Sequence, residues 1–270
     1  MDRMLREDHH KVIKLLRDGI KYPEVMSVIE GNNPGDIFVD NINTPTTGLV
    51  WNQGMEGFYF IGDSKNKEFL EKINGFINNK IKIFLKKKHI DYFEFSGTTV
   101  DWEKTIEDIF SNRDLKSWGQ LIYIFNGEDI KKSINKFRYD IHSLKDSSTN
   151  HQGYSNWRYY KTVLTSFWGS IDNLIDKGNC YYATDNNKII GVCYSGFSTS
   201  ETNTIGIETD RKYQQQSVGY NLAMKCIKEM LGEGKLPWWD CMDENVPSKN
   251  LAEKLGFIKK EEYICYKFSL

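Results

Sequence analysis

The sequence has almost no excess charge of either sign: 36 Lys and Arg stand against 37 Asp and Glu, a formal net charge of −1. Without a single-sign field, neither nucleic acid nor an anionic lipid surface is expected as a partner. Long apolar runs are missing as well. No stretch approaches the roughly 20 residues of a membrane-spanning helix, and Met1-Asp2-Arg3-Met4-Leu5-Arg6-Glu7-Asp8 places acids where a signal peptide needs its apolar segment. A soluble, cytoplasmic protein is expected. The cysteines (Cys180, Cys193, Cys226, Cys241, Cys265) lack C-x-x-C spacing and the histidines show no H-x-x-x-H or H-E-x-x-H pairing, so no metal is expected and the thiols read as small buried hydrophobes.

The most informative stretch runs from Thr204 to Phe257. It reads as an apolar strand, a polar turn (Arg211-Lys212-Tyr213-Gln214-Gln215-Gln216-Ser217-Val218-Gly219) and a long amphipathic helix. Such a junction leaves the first helical N–H groups without intrahelical partners, a ready site for a pyrophosphate. Gln214-x-x-Ser217-x-Gly219 resembles the Arg/Gln-x-x-Gly-x-Gly/Ala signature of the GNAT superfamily, the acyl-CoA-dependent N-acyltransferases. Further on, Trp239-Asp240, Asn245-x-x-Ser248 and Leu251-Ala252-Glu253-Lys254-Leu255-Gly256-Phe257 are similar to that superfamily's next strand, its Asn-bearing turn and its closing helix. With Glu208-Thr209, these residues resemble the branch that contains the zwittermicin A resistance protein. Ser217 and Gln214 stand where the superfamily usually has Gly and Arg. Ser is expected to keep the turn small and to cap the helix itself, and Gln to pull less on phosphate than Arg.

The resemblance implies a mixed-sheet α/β (α+β) fold, acetyl-CoA as co-substrate and a small-molecule amine as acceptor. In the chain before Thr204, strand-like runs at 36–39, 47–51 and 57–62 precede a long helix from about Lys67 to Lys87, a strand at 92–95, a helix at 102–110 and a strand at 120–125. That order repeats in the C-terminal half, so the N-terminal half reads as a degenerate GNAT-like unit. Its loop, Gly62-Asp63-Ser64-Lys65-Asn66-Lys67, has an Asp that would cap the helix and repel a pyrophosphate, which implies one CoA per chain. The expected organisation is a domain at 1–127, a connecting helix (about Asp129 to Lys145) and linker over 128–153, and a GNAT domain at 154–270.

By the resemblance, pantetheine pairs with the backbone of Ile207, Glu208 and Thr209, the pyrophosphate meets the N–H groups of Gln215, Gln216, Ser217, Val218, Gly219 and Tyr220 beside Gln214, and Asn245 reaches the CoA chain with Ser248 next to it. Glu208 lies on the opposite strand face from Ile205 and Ile207 and is the candidate base; orienting an ammonium group or pairing with an Arg are its other roles. The superfamily's usual acidic Tyr falls at Ala252, leaving Tyr263, Tyr266, Ser248, Cys241 or water as general acid. Two other functions fit the same residues: a non-catalytic acyl-CoA-binding module, and a tandem aminoacyl transferase using charged tRNA, against which the balanced charge argues.

Overall fold

The structure, a computed structural model, describes residues 1–16, 22–127, 137–148 and 150–270. The chain divides into two compact units, 1–120 with 262–270, and 121–261.

In the first unit, β1 (Asp2–Arg3) pairs with β2 (Gly35–Val39), which follows α1 (Pro23–Ile29), and β2, β3 (Thr47–Asn52) and β4 (Gly57–Gly62) form an antiparallel meander. A helical crossover then brings β5 (Tyr92–Gly97) parallel to β4. The long helix expected over Lys67 to Lys87, with Gly75 and Asn78-Asn79 as its weak points, is α2 (Lys67–Phe76), a π-helical turn (Ile77–Ile81) and α3 (Lys82–Lys86). The π turn contains Asn78-Asn79, side chains that compete for backbone hydrogen bonds and loosen the ladder. Asn66, not Asp63, caps α2: its Oδ1 accepts the Phe69 N–H at 3.1 Å, whereas Asp63 accepts the Lys65 N–H at 2.9 Å. Both carbonyl-bearing side chains can serve a cap, but Asn66 sits at the position from which an N3 amide is in reach.

After β5 come α4 (Val100–Ile109) and β6 (Lys116–Phe125). The free edge of β5 is taken by β12 (Phe257–Ser269), antiparallel from Cys265↔Ser96 to Ser269↔Tyr92. Residues 262–270, expected with the C-terminal half, thus belong to the first unit. Alternation along β12 turns Tyr266 and Phe268 into an aromatic core with Phe93, Phe95 and Phe110, and Phe268 lies 5.4 and 5.1 Å, centroid to centroid, from Phe93 and Phe110. Phe268→Ala is expected to cost about 3–5 kcal/mol of stability, read from urea melts; a loss under about 1 kcal/mol would mean that β12 contributes little there.

The second unit has strand order β6-β11-β10-β9-β8-β7. Its elements are the 121–125 part of β6, β7 (Asp140–Ser143), α5 (Trp157–Trp168), α6 (Ile171–Lys177), β8 (Cys180–Asp185), β9 (Lys188–Ser198), β10 (Thr202–Thr209), α7 (Val218–Gly232), β11 (Leu236–Met242) and α8 (Val246–Lys254). Strands β7 to β10 are antiparallel, and β11 is parallel to β10. The helix expected from Asp129 to Lys145 falls partly on 128–136, outside the described residues; from Asp140 the chain is strand, not helix, paired from Asp140↔Thr184 to Ser143↔Tyr181. A period-two pattern puts Ile141 on the apolar cluster, and the edge of β8 offers the backbone its partners. The β8–β9 turn carries Asn186 and Asn187 at φ 45° and 62°, the left-handed pair that a tight hairpin needs.

The two faces of this sheet are covered differently. Helix α7 buries Val218, Leu222, Cys226, Ile227 and Met230 with Ile190, Cys193 and Ile205 of the sheet. On α5, Tyr160, Leu164 and Trp168 pack with Tyr182, Val192 and Tyr194, and the Trp168 indole donates to the Ser195 carbonyl at 2.7 Å.

Candidate functional site

Strands β10 and β11 are paired only at their starts, Thr202↔Leu236, Asn203↔Pro237 and Thr204↔Trp238. Beyond that, β10 keeps its antiparallel partner β9 as far as Thr209↔Gly191, while its other edge has no strand beside it among the described residues. Backbone groups along such an edge need partners, and an extended amide-bearing ligand can supply them. At this splay lies a cavity of about 490 Å³. Ile207, Thr209, Gln214, Gln215, Ser217, Val218, Gly219, Tyr220, Asn245 and Ser248 line it, together with Tyr213, Pro247, Leu251 and Lys254.

The turn entering α7 is built for an anion. Gln215 and Ser217 adopt left-handed φ of 59° and 61°, a conformation that gathers consecutive N–H groups into a concave nest. Ser217 does not cap α7 as expected: its backbone is left-handed, and its side chain makes no cap hydrogen bond. The Ser217 carbonyl instead accepts the Asn221 backbone and side-chain N–H groups at 3.0 and 2.8 Å. The first amides of a fifteen-residue helix are left facing the cavity mouth without a capping acceptor.

Two expected contacts are otherwise engaged. Gln216 does not line the cavity: its Nε2 donates to the Lys212 carbonyl at 2.9 Å, and its Oε1 accepts from Arg138 and Tyr139. Asn245 caps α8, its Oδ1 accepting the Ser248 N–H at 3.2 Å. The Ser248 hydroxyl oxygen accepts the Trp239 indole N–H at 3.0 Å.

Lys254 is the single charged side chain among the cavity-lining residues, its Nζ 5.1 Å from the centroid of the Tyr220 ring. It supplies positive charge where Gln214 offers none. Ser248, Leu251 and Lys254 recur at a spacing of three along α8, a helical face that was visible in the sequence but hidden by the likeness of the closing motif to a structural helix end. Lys254→Ala is expected to raise the KM for acetyl-CoA about fivefold at low salt, the modest effect of an exposed cation, and to do so less as salt rises. A salt-independent change would point to lost packing on Tyr220.

The model of the GNAT acetyltransferase family matches residues 14–266 of the chain. The chain belongs to the GNAT acetyltransferase family. It is 25% identical over 244 residues to an uncharacterized N-acetyltransferase, YdfB, of Bacillus subtilis (strain 168), a match that spans 90% of this chain and 88% of that one. Among solved structures it is similar in fold to a GCN5-related N-acetyltransferase-like protein from Streptococcus suis 89/1591, with TM-score 0.67, 18% identity and 97% and 98% of the two chains covered. A GCN5-related N-acetyltransferase from Sphaerobacter thermophilus follows with TM-score 0.64, 7% identity and 99% and 95% coverage. A tandem GNAT protein from the clavulanic acid biosynthesis pathway superposes with TM-score 0.61, 8% identity and 97% and 95% coverage.

A GNAT acetyltransferase moves an acyl group, and in this family the donor is in general acetyl-CoA. The chain is therefore an acyltransferase. The residues present fit such a donor: a splayed strand edge for the pantetheine amides, a nest and uncapped helix amides for pyrophosphate, and one cation at the cavity wall. Among the described residues no group of three or more His, Cys, Asp and Glu could hold a metal, and no helix is long and apolar enough to cross a membrane.

Glu208 lies on the α5 side of β10, away from Ile207 and the α7 cluster. The Tyr159 hydroxyl donates to its Oε1 at 2.7 Å. That bond, followed by burial, raises the Tyr159 phenol above its usual range, so the hydroxyl stays protonated and stays a donor. Tyr160 and Tyr194 are buried near the same carboxylate; burial raises both phenols, followed by the Glu208 charge at Tyr160 and by Cys180 and then Glu208 at Tyr194. The ring of Tyr194 lies where a side chain on Gly206 would stand, 2.6 Å from a Cβ placed there. Asn156 fixes the start of α5 by a two-way bond to the backbone of Ile189, at 2.8 and 2.9 Å. Tyr159 is thereby held over Glu208.

Of the four general-acid candidates, the structure brings only Ser248 to the cavity. Tyr263 and Tyr266 lie in the first unit, Tyr263 with its ring 5.1 Å from that of Tyr22 and Tyr266 donating to Glu107 at 3.2 Å. The pairing of β12 with β5 draws them there. Cys241 is buried, and burial lifts its thiol above the usual range while a hydrogen bond with Ser248 opposes the shift. Ala252 is fully buried in the core of the second unit.

Proposed function

We propose that the chain transfers the acetyl group of acetyl-CoA to the primary amine of a small molecule. The observation that carries this reading is the splay of β10 from β11: it opens one face of β10 to the cavity and α7 amides while Glu208 stands on the other.

Bound acyl-CoA supplies an acyl carbonyl activated as a thioester. The backbone of Ile207, Glu208 and Thr209 aligns the pantetheine arm, and the amides from Gln215 to Tyr220, with Lys254, hold the phosphates. Glu208 takes a proton from the acceptor ammonium, directly or through one water, so that a neutral amine meets the carbonyl. Tyr159 holds one carboxylate oxygen and aims the other. Attack leaves a second proton on the nitrogen; it passes through Ser248 or water to the departing thiolate, and thiol and amide leave. Proximity supplies the largest share of the rate, as expected of a transfer between two bound partners.

The finer likeness to the branch containing the zwittermicin A resistance protein rests on Glu208-Thr209, Trp239-Asp240 and Asn245-x-x-Ser248, and supports an aminated antibiotic or metabolite as acceptor. We read the first unit as a degenerate repeat. Its antiparallel meander, helical crossover and parallel β5 match the pattern of β8 to β11, but its turn after β4 has Asp63 and an Asn66 cap where the second unit has an open nest. One acetyl-CoA should bind per chain.

The test is thiol release from acetyl-CoA against a panel of small primary amines, with calorimetric stoichiometry. Release with none of the panel, or two acetyl-CoA molecules per chain, would overturn the corresponding reading.

A further inference from the structure

The first unit holds a second cavity, of about 500 Å³, lined by residues far in sequence from the cleft in the second unit. We propose that it binds a small dianion carrying phosphate or carboxylate groups, held by Arg6, Lys88 and the indole N–H of Trp51.

Charge is the first reason. Arg3, Arg6 and Lys88 line the cavity with one carboxylate, Asp36. Asp36 is paired with Arg3. Arg6 donates to the Gly31 carbonyl, and neither it nor Lys88 has a carboxylate partner among the described residues. His9 adds little to that excess: it is buried, and burial lowers its pKa. Cations gathered without counter-charge repel one another, and an anion placed among them relieves that cost. The chain as a whole has a net charge of −1, so this is a local excess rather than one patch of a basic surface.

The second reason is independent of charge. Trp51 is 1% exposed, forms part of the cavity wall, and its indole N–H has no hydrogen-bond acceptor among the described residues. The groups stacked on it offer none: Lys88 Nζ lies 4.4 Å from the ring centroid, and the Phe84 ring stands perpendicular at 5.0 Å. A buried donor left unpaired is costly, and native structures rarely keep one without a use. An oxyanion seated against Lys88 would offer it an oxygen after a small shift of that exposed side chain. The site therefore presents donors left without acceptors, while its one carboxylate is taken by Arg3, an arrangement that suits an anion rather than a cation.

Size narrows the ligand. The volume is that of a metabolite site, and a helical or strand-like polyanion would need a charged track that the balanced surface does not provide. Anion binding at this cavity is independent of acyl transfer, and either can fail alone.

The experiment titrates the full chain with inorganic phosphate and, separately, with succinate, both in a chloride background, while following the Trp51 indole N–H by nuclear magnetic resonance. Trp51→Phe assigns that resonance. The expected result is a saturable shift of it with one dianion or both, phosphate alone marking a phosphoryl ligand and succinate alone a dicarboxylate. Lys88→Gln should weaken that binding about tenfold. Because Lys88 is exposed, this variant keeps its melting temperature; Arg6→Gln is the second variant, judged in the same way. The proposal is overturned if neither dianion moves the Trp51 resonance, or if Lys88→Gln and Arg6→Gln, both folded, bind as the parent does.

Discussion

Gly219→Glu should abolish the rise in melting temperature that acetyl-CoA gives the parent protein. At a hundredfold excess over Kd, ligand linkage is worth about 2.7 kcal/mol, which for a chain of this size is a shift on the order of 5–10 °C. Gly219 stands in the first turn of α7, and a Cβ there would lie 3.3 Å from Ile207 Cδ1 and 3.4 Å from Thr209 Oγ1, close but tolerable. The rest of a glutamate has only the cavity to occupy. Its carboxylate would accept the α7 amides and repel phosphate from the same place, so the helix survives while the ligand is displaced. The variant alone should therefore melt near the parent temperature. An undiminished acetyl-CoA shift in Gly219→Glu would place the donor outside this cleft.

Glu208→Gln should lower the acyl-transfer rate about a hundredfold near neutral pH while leaving acetyl-CoA affinity almost unchanged. The side chain sits on the α5 side of β10, and the cavity is lined from the other side, which is why binding and rate should separate. The pH dependence carries the assignment. Glu208 matters only while the acceptor holds a proton to be removed, so the gap between parent and variant should narrow as pH rises toward the ordinary amine value of about 10. A constant gap at all pH values would give Glu208 an orienting role. A variant that also loses acetyl-CoA would show that the Tyr159–Glu208 bond holds β10 in shape.

The cleft was legible because its determinants are local. A turn of small and polar residues, a strand before it and an amphipathic helix after it lie within a few dozen residues, and Gln214, Ser217 and Gly219 came with their chemistry attached. The left-handed backbone at Gln215 and Ser217 was not legible, since neither residue advertises that conformation as glycine would. Pairings over long separations were also hidden. Asp140–Ser143 reads as the end of a helix until the edge of β8 is present to pair with it, and nothing within Tyr263 to Phe268 says which unit will bury it. The acid candidates failed for that reason: residue type makes a tyrosine an acid, but β5 sets the address of those on β12. Tyr159 carries no local signal, because its partner Glu208 is 49 residues away.

The placement of β12 has a consequence for how the chain is made. The first unit lacks its Phe268 and Tyr266 packing until residues 262–269 have left the ribosome, although its other strands were synthesised long before. The meander and its crossover must wait, with the edge of β5 uncovered, through the synthesis of the whole second unit. An unfilled edge next to exposed aromatics is where nascent chains associate wrongly. Timing, rather than final stability, should then limit yield: slower translation of the second unit would lengthen the exposure, and chaperone dependence would end when β12 arrives.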